Sequence, residues 1–580
     1  MINSFTINKI FMKKIILTIV ALTTIAVINS YACTNFLVTK GASKDGSTFV
    51  SYSADSHQLY GELYFWAAAK HKAGTVRRVT EWDTGKFLGT IPEAAETYNV
   101  IGNMNEHSLV IGETTYGGRD ELVDPTGLID YGSLIYIGLQ RSKNAREAIK
   151  TMVELVAAHG YYSSGESFSI ADPNEVWILE LIGKGEGNKG AVWVAVRIPD
   201  GYISAHANQA RITTFPLENG KNSISSKNLS KIFEPSIEFV YAADVISFAR
   251  ERDYFKGKDE DFSFSDTYAP VTFSGARACE ARVWSFFRTF NNDMMQYEDY
   301  AMGHNLKNRM PLYIKPDRKL DMHDVANAMR DHYEGTTMDM TTDIGAGPYH
   351  NPYRWRPMSW KYNGVSYVHE RATATQQTGW WYVAQSRSWL PNAIGGVLWF
   401  GVDDAATSCL TPIYCSTNRV PEAYKMGNGD LLTYSETAAF WAFTRLTQFA
   451  YSRYSDIAPE IIKLQQEIEY DAAAKVKEID AKALALYNKK DTKGAIKILT
   501  DHSVNTAQNL VARWKKFDQY LLVKYMDGNI KKQNANGEFL RNEYGTPEFP
   551  TQPAYPDFWY KAIIIDNGDV LLQPAGAESH

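Results

Sequence analysis

The sequence predicts an α+β protein. Three observations carry that prediction. Short stretches with alternating patterning recur between residues 34 and 205. A pair of helices interrupts them between residues 132 and 159. Residues 437–530 then carry apolar positions at spacings of three and four, the signature of long amphipathic helices.

Taken in order, Thr34 to Thr39 and Thr48 to Ser53 read as strands around the turn cluster Ser43-Lys44-Asp45-Gly46-Ser47. Glu62 to Ala68, Tyr98 to Met104 and Ser108 to Gly112 are further strands, with Asn105-Glu106-His107 as a turn. A helix is expected near Gly132–Arg141. A second starts at Asn144, with Glu147 placed as in a capping box, and ends before Gly160; it keeps Ala148, Met152, Leu155 and Val156 on one face. Strands return at Phe168–Ala171, Val176–Leu181, Val192–Ile198 and Tyr202–Ala205. The glycines at 183, 185, 187 and 190 superficially resemble a phosphate loop. No helix follows them, so they read as a hairpin turn.

In the helical stretch, Ile457, Ile461, Leu464, Ile468, Ala472, Val476, Ile479, Ala483 and Leu486 share a face, with Asp456 as N-cap and Pro459 in the first turn. Residues 488–493 break it and more helix follows. The tail is rich in Pro, Asn and Gly. It ends in Ala562 to Ile565 and Val570 to Gln573 around Asn567-Gly568, a hairpin signal. The division is thus residues 1–32, a main domain over 33–430, a helical region over 431–530, and a tail over 531–580 whose terminal hairpin packs on the core. No internal repeat is present.

Residues 1–32 read as a secretory signal. Lys13 and Lys14 precede an apolar run from Ile15 to Ile28, and Ser30 and Ala32 stand at the minus-three and minus-one positions of a cleavage site. Cleavage after Ala32 makes Cys33 the first residue and places the protein in the periplasm or outside the cell. No later segment has the apolar length to span a bilayer. The formal charge is −6, and loss of Lys9, Lys13 and Lys14 makes it near −9, which speaks against a nucleic-acid partner. There are four cysteines. Cys409 and Cys415 are close enough in sequence to pair, which would leave Cys279 unpaired and buried.

A first-residue cysteine carries its thiol and a free α-amino group together. The thiolate is the nucleophile, and an amine with a pKa of about 7.7–8.0 is partly unprotonated near neutral pH and takes the thiol proton. An amide substrate then passes through an acyl-enzyme thioester and needs donors for its oxyanion. Two other readings of Cys33 stay open. One is lipidation, although a lipobox wants an aliphatic residue where Ser30 stands. The other is an ordinary residue beside a cleavage site elsewhere.

The segment CTNFLVTKGASKDGSTFVSYSAD, Cys33 to Asp55, resembles the start of the bacterial dipeptidase family of N-terminal-nucleophile (Ntn) cysteine hydrolases. MNEHSLVIGETT (Met104–Thr115), FSIADPNEVWILE (Phe168–Glu180), HANQARI (His206–Ile212), RDHYEGT (Arg330–Thr336) and the stretch from Trp381 through Tyr424 resemble it too, in the same order. The resemblance implies a four-layer αββα sandwich, hydrolysis of dipeptides or other short peptides, and no metal or cofactor. It implies Cys33 as nucleophile, Asp55 as the carboxylate that holds its amino group, Asn208 near the oxyanion or amine, and Arg282 as a basic residue nearby. Many relatives keep Arg three residues before the aspartate, where this chain has Tyr52; a phenol does not replace that fixed charge. Thr114 falls where bile-salt and penicillin hydrolases keep Asn. With His206, these two are the candidate substrate-binding residues.

Beside the dipeptidase reading stand an N-acyl-amide hydrolase on the same scaffold and a peptide-binding relative without turnover. His332 and Glu334 look like metal ligands at first sight. Asp324 to His332 reads instead as a helix with His332 near its C-terminal dipole. Trp380 and Trp381 read as core. The helical region, remote from the quoted motifs, reads as scaffold or a homo-oligomer contact.

Overall fold

Two antiparallel hairpins at the chain start and middle bring the ends of distant segments together. The computed structural model describes residues Cys33–Ala577, and the secretory signal expected over residues 1–32 lies outside them. Strands β1 (Asn35–Val38) and β2 (Thr48–Asp55) pair antiparallel around the expected turn, with Leu37 opposite Val50. A long strand β3 (Val110–Gly117) follows. Helix α1 (Tyr131–Arg141) takes Asp130 as N-cap, and α2 (Ala145–His159) takes Asn144, whose side chain accepts the Glu147 N–H; Gly160 ends it. Next come β4 (Gly165–Ala171), β5 (Val176–Gly183), β6 (Ala191–Arg197) and β7 (Ile203–His206). The glycine-rich stretch joins β5 to β6 as a hairpin.

Helices α3 (Ala281–Phe290) and α4 (Met322–Met329) precede an exposed hairpin, β8 (Ser359–Tyr362) with β9 (Val365–Val368). Three long-range strands, β10 (Thr378–Ser386), β11 (Gly396–Val402) and β12 (Thr411–Tyr414), lead into α5 (Ala439–Ser452), α6 (Tyr454–Asn488) and α7 (Thr492–Tyr525). The last helix is α8 (Asp557–Asn567).

The architecture is α+β, with two large sheets and a C-terminal helical region. The first sheet runs Tyr313–Ile314, β7, β1, β2, β10, β11, β12. The second contains β6, β5, β4 and β3 in that order, flanked by shorter strands on both sides. β1 and β2 lie against β3 and β4 of the second sheet, α3 and α4 contact the first sheet, and α1 and α2 contact the second. Period-two alternation sorts the side chains of the first sheet. Leu37, Val50, Tyr52, Ala54 and Trp380 join the core shared with Phe168 and Ile170. Phe36, Val38, Phe49 and Trp381 join the core under Trp284, Phe287 and Val325. Helices α6 and α7 pack on β12, where Val476, Ile479 and Leu499 meet Trp399 and Tyr414.

Several expectations are corrected. The terminal hairpin does not form: residues 557–567 are helical, and Asn567-Gly568 serves as a helix stop, with Gly568 at φ 56° and its N–H on the Ile564 carbonyl. Pro556 sets the helix start, and none of its residues is buried. Cys409 and Cys415 are both unpaired. Strand β12 runs between them and alone spans about 10 Å, beyond disulfide reach. Cys279 is unpaired and half-buried rather than buried. Asp456 is not an N-cap, because α6 begins two residues earlier; it pairs with Arg453 instead. The strand expected over 62–68 shortens to Phe65–Trp66. The helix expected to end at His332 stops at Met329, capped by an Asp321/Asp324 box, and His332 lies beyond it, buried between Glu334 and Tyr353. Trp380 and Trp381 are core.

Candidate active site

Cys33 stands at the open end of β1, where three elements converge. The β1–β2 hairpin carries its register to a bridge between Thr34 and Ser53, so Cys33 lies beside the C-terminal end of β2, which ends in Asp55. On the other flank β1 pairs with β7, Asn35 opposite His206, and Asn208 follows two residues on. The chain leaves β7 sharply there: Asn208 has φ 56°, a left-handed conformation that asparagine tolerates better than most residues.

Arg282, from α3, ties these flanks together. It is 1 % exposed. Its Nη1 donates to the Cys33 carbonyl at 2.6 Å and to Thr34 Oγ1 at 2.8 Å. Its Nη2 donates to Asn208 Oδ1 at 3.0 Å and to the Ala207 carbonyl at 3.3 Å. The Asn208 amide in turn donates to the Thr115 carbonyl at 2.7 Å, tying the β7 exit to β3. One guanidinium thus fixes the Cys33 backbone and the asparagine beside it.

Asp55 is fully buried. Its Oδ2 accepts from Arg371 Nη2 at 2.6 Å and from Ser53 Oγ at 2.8 Å, and its Oδ1 accepts from Thr378 Oγ1 at 2.7 Å. Arg371 and Arg282 bring two buried positive charges near Cys33.

The thiol faces a different chemistry. Cys33 Sγ lies 3.6 Å from the Tyr52 hydroxyl, which donates to Glu113 Oε1 at 2.7 Å. Burial pushes the thiol well up, and the negative charges of Glu113 and Asp55 add to that; the Asp55 N–H and the Tyr52 hydroxyl act in the opposite sense. Such a thiol stays protonated near neutral pH unless a base takes its proton. Glu113 is itself raised by burial, as is its neighbour Glu166, which accepts from Thr115 Oγ1 at 2.5 Å.

A known family matches most of the chain. Residues 32–467 match the family described as Peptidase family C69. The chain belongs to peptidase family C69. That bears out the resemblance carried by Cys33–Asp55 and the later motifs. Among its relatives, a protein named probable dipeptidase from Salmonella dublin is 25 % identical over 413 residues, covering 66 % of this chain and 81 % of its own. A probable dipeptidase from Latilactobacillus sakei is 24 % identical over 502 residues, covering 82 % and 92 %. Dipeptidase A of Lactobacillus helveticus is 22 % identical over 415 residues, covering 68 % and 77 %.

In this C69 chain, Cys33, Tyr52, Asp55, Asn208 and Arg282 all come together. Thr114 and His206 lie against each other between the two sheets. Both are fully buried, His206 Nδ1 shares a hydrogen bond with Thr114 Oγ1 at 2.7 Å and Nε2 one with Ser169 Oγ at 2.7 Å, so every polar atom of the ring is engaged between the two sheets. Burial, with the Arg211 charge behind it, pushes His206 down to about 3, so it is neutral. Sequence reading passed over Glu113, Glu166, Arg371, Gln377 and Thr378. Glu113 lay inside a quoted motif, two residues from its end. Arg371, Gln377 and Thr378 precede the Trp381–Tyr424 stretch and carried no local signal. Among the described residues no three His, Cys, Asp or Glu side chains group to hold a metal ion, and no helix is long and apolar enough to cross a membrane.

Proposed function

We propose that the chain is an exported cysteine dipeptidase that acts through Cys33 as an N-terminal nucleophile, on a four-layer αββα scaffold of the Ntn type. The observation that carries this reading is the placement of Cys33: a thiol at the end of β1, beside Asp55 and Asn208, with its own carbonyl clamped by Arg282. The dipeptidase names of the C69 relatives point to the same substrate class.

While Ala32 is joined to Cys33, the nitrogen is an amide and cannot accept a proton. Burial and two carboxylates hold the thiol protonated, so the uncleaved chain has a nucleophile without a base. Cleavage after Ala32 creates the amine, and export and activation become one event. Asp55, anchored by Arg371 and Thr378, stabilises and orients the ammonium that forms.

The thiol proton passes to the α-amine as sulfur attacks the scissile carbonyl. The negative charge that develops on the carbonyl oxygen is met by the remaining N–H of Asn208, whose amide is fixed at both ends. The ammonium returns its proton to the leaving amine, the C–N bond breaks, and a thioester remains. Water, deprotonated by the same amine, hydrolyses it and regenerates the thiol. Thr114 and His206 hold the sheets in register under this site.

The test has two parts. Mass and N-terminal sequence of the exported protein give a chain that begins at an unmodified Cys33. That protein hydrolyses dipeptides in preference to acyl amides, and Cys33→Ala abolishes turnover. A lipid-bearing Cys33, a different first residue, or full activity in Cys33→Ala would overturn the mechanism. Exclusive turnover of acyl amides would replace the substrate class.

A further inference from the structure

Two groups of opposite charge without an ion-pair partner lie close to the Cys33 site. Glu113 and Glu166 are buried on β3 and β4 and face each other, and apart from that carboxyl–carboxyl contact Oε2 of each has no donor. Asn35 Oδ1, on the residue two beyond Cys33 in β1, is likewise buried without a donor. Among the described residues no Lys, Arg or His pairs with Glu113 or Glu166, although most buried charges in proteins are paired. Two carboxyls with no cation and a buried amide oxygen with no donor, close to a nucleophile, form a place for a group with several N–H donors and a positive charge. A primary ammonium carries three.

Beyond the end of β2 stands Arg356. Its Nε is buried without an acceptor, and its guanidinium bonds to Gln377 Oε1. Gln377 Nε2 donates to the Asp55 carbonyl at 3.2 Å, which places Arg356 one side chain away from the β2 end beside Cys33. Among the described residues no carboxylate pairs with Arg356. Burial, with the charges of Arg371 and Arg282 nearby, pushes it down to about 10, against the opposite pull of the Asp55 carboxylate. A carboxylate is the ligand a planar guanidinium fork fits best.

We propose that Glu113 holds the free α-ammonium and Arg356 the free α-carboxylate of a dipeptide laid across Cys33, so that the spacing of the two charges sets substrate length. The inference rests on the peptidase reading of the same site and names what that site measures. Glu113 is reached from Cys33 through the Tyr52 hydroxyl, close to where the amine of the residue that donates the scissile carbonyl must lie. Without a cation, Glu113 and Glu166 share a proton; an arriving ammonium displaces it. Each added residue moves the far charge by about 3.3–3.6 Å, which takes the carboxylate of a tripeptide out of register with Arg356.

The experiment compares L-Ala-L-Ala, its N-acetyl derivative, its C-terminal amide and tri-L-alanine on the mature wild type, Glu113→Gln and Arg356→Gln. The wild type favours the free dipeptide over each of the other three by tenfold or more in kcat/KM. In Glu113→Gln the free-to-acetylated ratio falls at least tenfold, through KM, while the free-to-amidated ratio holds. In Arg356→Gln the free-to-amidated ratio and the preference over the tripeptide fall while the free-to-acetylated ratio holds. Ratios that stay put in both variants overturn the proposal, as does a wild type that treats free and blocked dipeptides alike, even where Glu113→Gln fails to fold. Calorimetric binding of the same four ligands to Cys33→Ala reads the contrast without turnover. A protein that binds with this contrast but hydrolyses none of them refutes the peptidase reading and keeps the charge ruler. Absence of the contrast in binding refutes the ruler alone.

Discussion

The Arg371 guanidinium and the Asp55 carboxylate meet at 2.6 Å with neither side chain more than 5 % exposed. A buried pair of this kind is weak evidence of stability, because desolvation of both ions offsets their attraction; breaking it from one side leaves an uncompensated charge and costs about 3–5 kcal/mol. Asp55→Asn is therefore expected to lose about that much in urea denaturation. Asp55→Asn combined with Arg371→Met recovers most of the stability. Turnover separates structure from chemistry: under the proposed mechanism Asp55 orients the Cys33 amine, so the double variant stays at least about 100-fold down in kcat. Recovery of activity along with stability would make Asp55 a structural residue only.

Arg282 gives a second prediction. Four acceptors from two segments, residues 33–34 and 207–208, depend on it, including the Cys33 carbonyl and Asn208 Oδ1. Arg282→Met leaves them without a donor inside the fold. The expected loss is at least about 2 kcal/mol of stability. A fall in kcat of about 100-fold accompanies it, because Cys33 and Asn208 lose their mutual placement. Arg282→Lys regains part of the stability, but one ammonium cannot span the same fork. An Arg282→Lys enzyme with wild-type kcat would show that the positive charge, not the geometry, is what matters.

Tyr52 tests the thiol's environment. Its hydroxyl lies 3.6 Å from Cys33 Sγ and acts to lower a thiol pKa that burial and carboxylates raise. Tyr52→Phe removes that contribution, so the thiol pKa rises further. Alkylation of Cys33 by iodoacetamide is then expected to reach half its plateau at a higher pH than in the wild type, and the rising limb of the kcat/KM profile moves the same way. The removal also leaves Glu113 Oε1 without its Tyr52 donor. Coincident profiles for the two proteins would mean that the phenol does not touch the reactive thiol.

What the sequence made legible follows from locality. The β1–β2 hairpin, the α2 cap at Asn144 and the turn between β5 and β6 are written in neighbouring residues, and each formed close to its expected bounds. The family motifs placed Cys33 and Asp55 at the facing ends of one hairpin. Arg371, Gln377 and Arg356 belong to a segment more than 300 residues away that reaches Asp55 only through the pairing of β2 with β10. No local pattern announces such a contact. The tail misled for the opposite reason: Asn567-Gly568 is a strong turn signal locally, but the same left-handed glycine also ends a helix, and Pro556 with Asp557 had already started one. His206 was legible as a residue near the site, but not as one whose ring is used up between the sheets.

His206 supplies the last prediction. In the folded protein burial holds its pKa near about 3, against about 6.5 in an unfolded chain. Between those values the unfolded state binds the extra proton and the folded state does not. Stability contributed by the neutral ring is thus present above about pH 6.5 and declines as pH falls toward 3. Over the interval from pH 7 to pH 5 this residue alone is expected to remove about 2 kcal/mol. Carboxylates titrate in the same range, so the comparison must be with a variant. His206→Gln is less stable at pH 7, since it cannot bond Thr114 and Ser169 together in the same geometry. It also loses about 2 kcal/mol less than the wild type on going to pH 5. Urea denaturation of both proteins at the two pH values gives the four numbers needed. Parallel losses would mean that the imidazole is protonated in the folded state, and that the hydrogen bonds to Thr114 and Ser169 are donated by the ring from both nitrogens.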